Sequence, residues 1–173
     1  MIKLYVANLG KYNEGELVGA WLNLPLTYDE DDFKQEFQEF LENRVGINEE
    51  YEEFAIHDYE VDFDMGIGEY ENIANLNELA IKIENISQDD MNVFKALVEA
   101  ENVDTAIDLI ESGNFTFYDN INTHSELGYY IVEEGLFGME IPNELENYID
   151  YKAIGRDWAM NMSETSYGYI QIY

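Results

Sequence analysis

Apolar and polar positions alternate near both ends of this chain and fall at helical spacing through its middle. The stretch IKLYVANL (2–9) puts Leu4 and Val6 on one face and Tyr5 on the other, which predicts a strand. GKYNEG (10–15) carries turn chemistry. ELVGAWLNLP (16–25) is apolar, stops at Pro25 and predicts a second strand. Thr27, with Glu30 three residues on, offers a capping box. The run YDEDDFKQEFQEFLEN (28–43) then sets Phe33, Phe37, Phe40 and Leu41 on one helical stripe, with Gly46 as the stop. In EFAIHDYEVDFD (53–64), Ile56, Tyr59, Val61 and Phe63 oppose Asp58, Glu60, Asp62 and Asp64. Its last six residues alternate strictly and predict a third strand. Three strands and a helix make a small α+β domain over 1–65.

MGIGE (65–69) marks a boundary, and helical periodicity follows. Tyr70, Ile73, Leu76, Leu79, Ala80 and Ile83 form one stripe. Ser87 with Asp90 opens a second helix carrying Met91, Phe94, Leu97 and Val98. Asp104 caps a third, with Ile107 and Ile110, stopped by Gly113. This gives a helical domain over 66–112. FTFYDNI (115–121) returns to strand character, and SELGYYIVEEGLFG (125–138) predicts a helix with Leu127, Tyr130 and Ile131 inward. Pro142 with Glu144 and Glu146 starts another, running through NELENYIDYKAIGRD, and YGYIQIY (167–173) closes the chain as a strand. The third domain, 113–173, is again α+β.

Charge changes the picture. Thirty-eight acids face eight bases in 173 residues, a net charge of −30. Self-repulsion of this size works against a compact state. A hydrophobic fraction of 46% and an aromatic fraction of 14% nevertheless point to a folded core rather than disorder. A strongly basic partner is the natural reason for keeping the acids. Cysteine is absent, which excludes disulfides, thiolate zinc sites and a cysteine nucleophile. The N-terminus lacks signal-peptide architecture, and no apolar run approaches the ~18 residues that span a bilayer. The chain therefore reads as soluble and cytoplasmic.

Catalytic signals are thin. His57 and His124 are the only histidines, and neither has metal-ligand spacing. An EF-hand register starting at Asp29 and Asp31 fails because Phe33 and Lys34 fall where a ligand and a glycine are needed. With this many carboxylates some pair always lies at glycosidase distance, so pairing carries no weight. No enzyme activity, metal or cofactor is called for.

The spacing of the acids is more informative. On the helix, Asp32 and Glu36 are four apart and Glu39 follows on nearly the same face. On the third strand, Asp58, Glu60, Asp62 and Asp64 are two apart, about 6.6 Å per step. These are regular lines of negative charge on rigid elements. DNA carries two charges per base pair, so thirty net charges correspond to about 15 base pairs. The candidate contact acids are Asp29, Glu30, Asp31, Asp32, Glu36, Glu39 and Glu42 on the helix. Glu49, Glu50, Glu52 and Glu53 follow it, and Asp58, Glu60, Asp62 and Asp64 lie on the strand. A solvated acidic surface, a halophilic protein and an acidic module binding some other basic DNA-binding protein are the rival readings.

YVANLGKYNEGELVGAWLNLP (5–25), YEEFAIHDYE (51–60) and NYIDYKAIGRD (147–157) resemble the ArdA antirestriction family. The resemblance implies a protein of conjugative elements that blocks type I restriction-modification enzymes by imitating DNA and occupying their DNA-binding groove. It implies an elongated chain of three small domains that dimerises through the C-terminal one. The partners implied are the specificity and modification subunits, with no direct nucleic-acid or membrane binding. LGYYIVEEGLFGMEIPNELENYI (127–149) is similar to the antirestriction motif of that family, with Tyr129, Tyr130, Glu133, Glu134, Gly135 and Gly138 inside it. Its tyrosines and Leu136–Phe137 suit core or dimer packing as well as contact with an enzyme. Gly10, Gly15 and Gly19 suit turns or close packing, and Arg156 invites a buried pair with Asp150 or Asp157.

Overall fold

The computed structural model describes residues 1–136, 138 and 141–173, with the side chains of Glu30 and Asn143 left aside. The chain folds as two compact units, 1–87 and 88–173. Each holds a three-stranded antiparallel sheet together with helices, so the fold class is α+β. This division runs through the helical stretch 66–112. Its first helix belongs to the first unit and the other two to the second.

The first unit is built on β1 (Ile2–Asn8), with β2 (Gly19–Leu24) on one side and β3 (Phe54–Val61) on the other. Residues directly opposite on a sheet share a face. Ile2, Leu4 and Val6 therefore stand beside Leu24 and Leu22 on β2 and beside Val61, Tyr59 and Ile56 on β3. Ile2, Leu4, Val6, Leu22, Leu24 and Ile56 are all buried. Between the pairs Tyr5–Asp58 and Val6–Ile56 the register shifts, leaving His57 as the extra residue of a β-bulge. The bulge accounts for a detail of the sequence. Ile56 and Tyr59 are three apart, yet both face the core side. β3 is shorter than its alternation predicts, because Asp62 to Asp64 form a bend beyond Val61.

GKYNEG is more than a turn. Leu9–Asn13 form a short helix, α1, capped by Asn8, whose side-chain oxygen accepts from the Lys11 amide at 3.0 Å. Asn8 is fully buried, and its amide donates to the Gly46 carbonyl at 3.1 Å. One side chain thus ties the end of β1 to the stop of the acidic helix, where Gly46 takes a left-handed φ of 77°.

That helix, α2 (Glu30–Phe40), continues into a π-helical turn over Leu41–Val45. It starts at Asp29 and not at Thr27. The Asp29 carboxylate accepts from the Asp31 amide at 2.9 Å, and Thr27 Oγ1 accepts from the Asp29 amide at 3.3 Å. A carboxylate here satisfies a free N–H and complements the helix dipole, an advantage that threonine lacks. Phe33, Phe37 and Phe40 are half-buried and lie as parallel rings, 5.5 Å and 6.3 Å between successive centroids. Phe37 also meets the edge of Phe54 at 5.6 Å.

The last helix of this unit, α3 (Ile73–Glu84), buries Ile73, Leu76, Ala80 and Ile83 and is capped by Asn72. Tyr70 precedes the helix instead of joining its stripe and is exposed. Asn77 is buried among these apolar residues. It accepts from the Leu26 amide at 2.6 Å and donates to the Thr27 carbonyl at 2.9 Å.

In the second unit, α4 (Met91–Ala100) and α5 (Val103–Ser112) bury Phe94, Leu97, Val98, Val103, Ala106 and Ile107. The cap of α5 is Asn102, accepting from the Thr105 amide at 3.0 Å, and Asp104 sits in the first turn. The sheet runs β4 (Phe115–Asp119), β6 (Gly168–Ile172), β5 (Ser163–Thr165) in spatial order. α6 (His124–Glu133) carries a complete capping box, Thr123 with Glu126. The predicted helix from Pro142 onward is two pieces, a 3-10 helix over Asn143–Tyr148 and α7 (Tyr151–Ala159). Asp150 caps α7 by accepting from the Ala153 amide at 3.0 Å. α6 and α7 cross at Gly128 and Gly155. A Cβ on Gly128 would overlap the Tyr151 carbonyl, and one on Gly155 would overlap that of His124. Leu127, Ile131, Tyr118 and Tyr169 form the core beneath, with Ile154 and Trp158 packed against it. Tyr130 is not inward. It is 39% exposed, with its ring 5.5 Å from that of Tyr118 in an edge-to-face contact.

Candidate partner-binding surface

The helix α2 exposes Asp31, Asp32, Glu36, Glu39 and Glu42 along its solvent side and into the turn that follows. Two amides are interleaved with them. Gln35 donates to Glu39 at 3.0 Å, and Gln38 donates to Glu42 at 2.8 Å. These i,i+4 bonds replace carboxylate–carboxylate neighbours with donor–acceptor pairs, which is how so acidic a helix holds together. Asp29 is occupied as the cap, and the side chain of Glu30 lies outside the described residues.

Glu49, Glu50, Glu52 and Glu53 are exposed on the segment between the helix and β3. Asn48 shapes that segment, its side-chain oxygen accepting from the Glu50 and Tyr51 amides at 2.8 and 3.1 Å. The turn brings Glu49 and Glu52 to the same groove as Glu42, over a floor of Leu41, Ile47 and Phe54. That convergence is absent from the sequence, where Glu42 and Glu52 are ten apart. Among the described residues, no cation pairs with Asp31, Asp32, Glu36, Glu39, Glu42, Glu49, Glu50, Glu52 or Glu53.

The strand row differs. Asp58 and Glu60 share the solvent face of the sheet with Lys3, Tyr5 and Trp21. Lys3 stands opposite Glu60 and bonds it at 2.9 Å. The terminal ammonium of Met1 bonds Asp62 at 2.9 Å. Asp62 and Asp64 leave the strand, so the expected line of four carboxylates on one strand is not formed. Half of this row is neutralised within the chain, and the open charge concentrates on α2 and the segment after it.

Some acids serve the fold. Lys11 lies over the Tyr51 ring at 4.3 Å and bonds Glu14 at 3.2 Å, while Tyr51 donates to Glu14 at 3.0 Å. The Tyr51 hydroxyl and Glu14 raise the lysine well above its ordinary range. Lys11 and Tyr51 hold Glu14 below the usual carboxylate range. Glu126 is lowered by the Asn122 amide and the Thr123 side chain of its capping box. Arg156 pairs with Asp157 at 2.8 Å, but on the surface, both side chains being more than half exposed. An arginine beside its own helix neighbour reaches water more easily than the core.

In the motif region, Tyr129 is 55% exposed, with its ring 5.3 Å from that of Tyr151. Glu133 and Glu134 are exposed, and Gly135 and Gly138 both take left-handed φ values, 64° and 72°. Leu136, Leu145 and Tyr148 are exposed too, and Phe137 lies outside the described residues. The region therefore offers carboxylates beside uncovered aromatic and aliphatic side chains. His57 stands edge-on to Tyr12 at 4.7 Å, and the His124 ring is 6.2 Å from that of Tyr169. Among the described residues, no three acids or histidines are gathered to hold a metal, and no helix is long and apolar enough to cross a membrane.

Comparison with known families places the chain beside a described one. A sequence model of the family described as "Antirestriction protein (ArdA)" covers residues 4–171. Among curated proteins no sequence matches.

Proposed function

The chain belongs to the ArdA family of antirestriction proteins, and on that footing we propose that it inhibits type I restriction-modification enzymes by imitating duplex DNA. The observation that carries this reading is the acidic surface of α2 and the following segment, where nine exposed carboxylates pair with no cation among the described residues. The interleaved amide donors steady the helix and at the same time hold its carboxylates in place. That suits a false phosphate backbone, because charges held in place cost less to order on binding.

The mechanism is competitive occlusion of the DNA-binding groove, formed by the specificity and modification subunits. Basic side chains that hold phosphates meet Asp and Glu instead. Much of the affinity comes from ions released at the basic surface, so binding weakens as salt rises. No base edge is presented, so inhibition is indifferent to the recognition sequence of the enzyme. Restriction and modification are blocked alike, since both depend on that groove. No chemistry is performed, and the inhibitor acts in the cytoplasm beside its target. The uncovered Tyr129, Leu136, Leu145 and Tyr148 supply a surface for a homodimer through the second unit.

Titrating the protein into a type I methyltransferase–DNA complex tests the reading. Release of DNA at low salt, and less release at higher salt, is the expected result. Failure to displace DNA at low salt refutes it. Recovery of some other basic DNA-binding protein instead of restriction subunits from a host lysate would point to an acidic module of different purpose.

A further inference from the structure

The first unit contains a groove whose walls come from three elements. Phe33 and Phe37 of α2 form one wall, Phe54 to Ile56 of β3 the floor, and residues 69–74 leading into α3 the other wall. Its lining is mostly apolar, with Glu69 and Glu71 among the lining residues. The aromatic wall is preorganised, since Phe33 stacks on Phe37 and Phe37 meets the edge of Phe54. The opposite wall is fixed as well. The Ile56 amide donates to the Glu69 carbonyl at 2.9 Å, Glu71 accepts from the Gly68 amide at 3.2 Å, and Asn72 caps α3. Tyr70 stands between the two glutamates and is 73% exposed.

Neither the hydrophobic stripe nor the acidic rows explain this arrangement alone. Glu71 is held by the Gly68 amide and Glu69 by the Tyr70 hydroxyl, so a simple apolar knob would leave both carboxylates without a cation among the described residues. A lysine, whose ammonium is a compact, strongly hydrated point charge, would stack poorly on the phenylalanines. Arginine satisfies both halves. Its guanidinium is planar, weakly hydrated, stacks on aromatic faces and pairs with carboxylates. Its aliphatic stem covers apolar surface while the head stays at the rim.

We propose that this groove receives an arginine side chain from the basic surface of the partner, the guanidinium stacking on the phenylalanine wall and pairing with Glu69 or Glu71. The inference deepens the reading above and rests on it for the identity of the partner. It makes the interface more than electrostatic imitation, because part of the affinity then distinguishes arginine from lysine at equal charge.

The test is titration of the full chain with hexa-arginine and hexa-lysine peptides, at low and raised salt. Hexa-arginine should bind about three- to tenfold more tightly, the size of a partly desolvated cation–π contact. Ala74→Leu fills the groove and leaves every carboxylate in place, so it should abolish the preference without lowering hexa-lysine affinity. Tyr70→Ala changes a rim residue that is 73% exposed and bonds Glu69, and should reduce the preference, with an unchanged melting temperature showing that the variant is folded. Equal binding of the two peptides, or a preference untouched by both variants, overturns the proposal. So does a loss that is equal for both peptides, or a self-association that Ala74→Leu removes. Failure to release DNA from the methyltransferase, with the arginine preference intact, would sink the inhibition mechanism alone. Release of DNA without the preference would sink the groove alone.

Discussion

Replacing Gly128 by alanine probes the crossing of α6 and α7, and its sign is diagnostic. On a free helix surface the change stabilises by about 0.5–1 kcal/mol, because alanine is the better helix former. Here the new methyl would lie 2.7 Å from the Tyr151 carbonyl carbon and 2.9 Å from the Gly155 nitrogen, and nearer still to the Tyr151 oxygen. Comfortable carbon contacts are about 3.5–4.0 Å, so the helices must part by about 1 Å. All three obstructing atoms are backbone, and no side chain can swing aside to make room. Overpacking of this kind costs about 1–3 kcal/mol, and a backbone obstruction belongs at the upper end. Separation also loosens Leu127 and Ile131, both fully buried. Net destabilisation of about 2 kcal/mol follows, lowering the melting temperature of so small a unit by about 8–16 °C. Trp158 reports on this core, and a Trp21→Phe background removes the other tryptophan. Urea unfolding followed by its fluorescence should show the midpoint fall. Gly128→Ala with Gly155→Ala should cost less than the sum, since the second methyl enters space already opened. An unchanged or raised midpoint for Gly128→Ala would falsify the backbone-to-backbone crossing.

Asn77→Ala strands the Leu26 amide and the Thr27 carbonyl, and should destabilise the first unit by about 1–3 kcal/mol in Trp21-monitored unfolding. A neutral result would mean that water replaces the side chain. At a net charge of −30, self-repulsion should ease as salt shortens the screening length to about 10 Å, so the melting temperature should climb from low to moderate salt. Glu14 is depressed in the folded state by Lys11 and Tyr51, so its stabilising effect is complete above the unfolded value and is lost as pH falls through the folded one. Tyr51→Phe removes one of the two donors and should move the Glu14 midpoint upward in an NMR titration, while an unmoved midpoint would show that Lys11 alone sets it. Glu36→Gln, Glu39→Gln and Glu42→Gln should weaken methyltransferase binding in shallow, cumulative steps. Each should trim the salt slope by about 1 or less, whereas abolition by one of them would point to a single critical carboxylate.

Where one face of an element is buried, its pattern was readable. Leu4 and Val6 announced β1, and the three-residue gap from Ile56 to Tyr59 is the mark of the bulge at His57. The caps were harder because several adjacent residues qualified. Thr27 and Asp29 can both cap, as can Asn102 and Asp104, and only the path of the incoming chain chooses between them. α1 was hidden because five residues hold too little periodicity, and its support is Asn8, whose partner Gly46 is distant in sequence. β5 is three residues long and alternates too briefly to signal a strand. The break at Ile149–Asp150 was masked by the helix formers Glu144, Leu145 and Glu146 before it and Lys152 and Ala153 after it. For the candidate surface, the type of residue was legible and the neighbourhood was not. Nothing in the strand row showed that Lys3 would land opposite Glu60. The gathering of Glu42 and Glu52 around one groove, and of Phe33 and Ala74 around another, exists only once the elements are packed.

The glutamines of α2 place a ceiling on acidity. Gln35 and Gln38 have the size and shape of glutamate, and replacing either by glutamate would raise the nominal charge. Each would also turn a donor facing Glu39 or Glu42 into a repelling neighbour and release that glutamate to wander. Selection for a stronger inhibitor would therefore stop short of the most acidic helix and keep amides at intervals, as punctuation between charges. A search for proteins of similar design should weigh that rhythm above the isoelectric point.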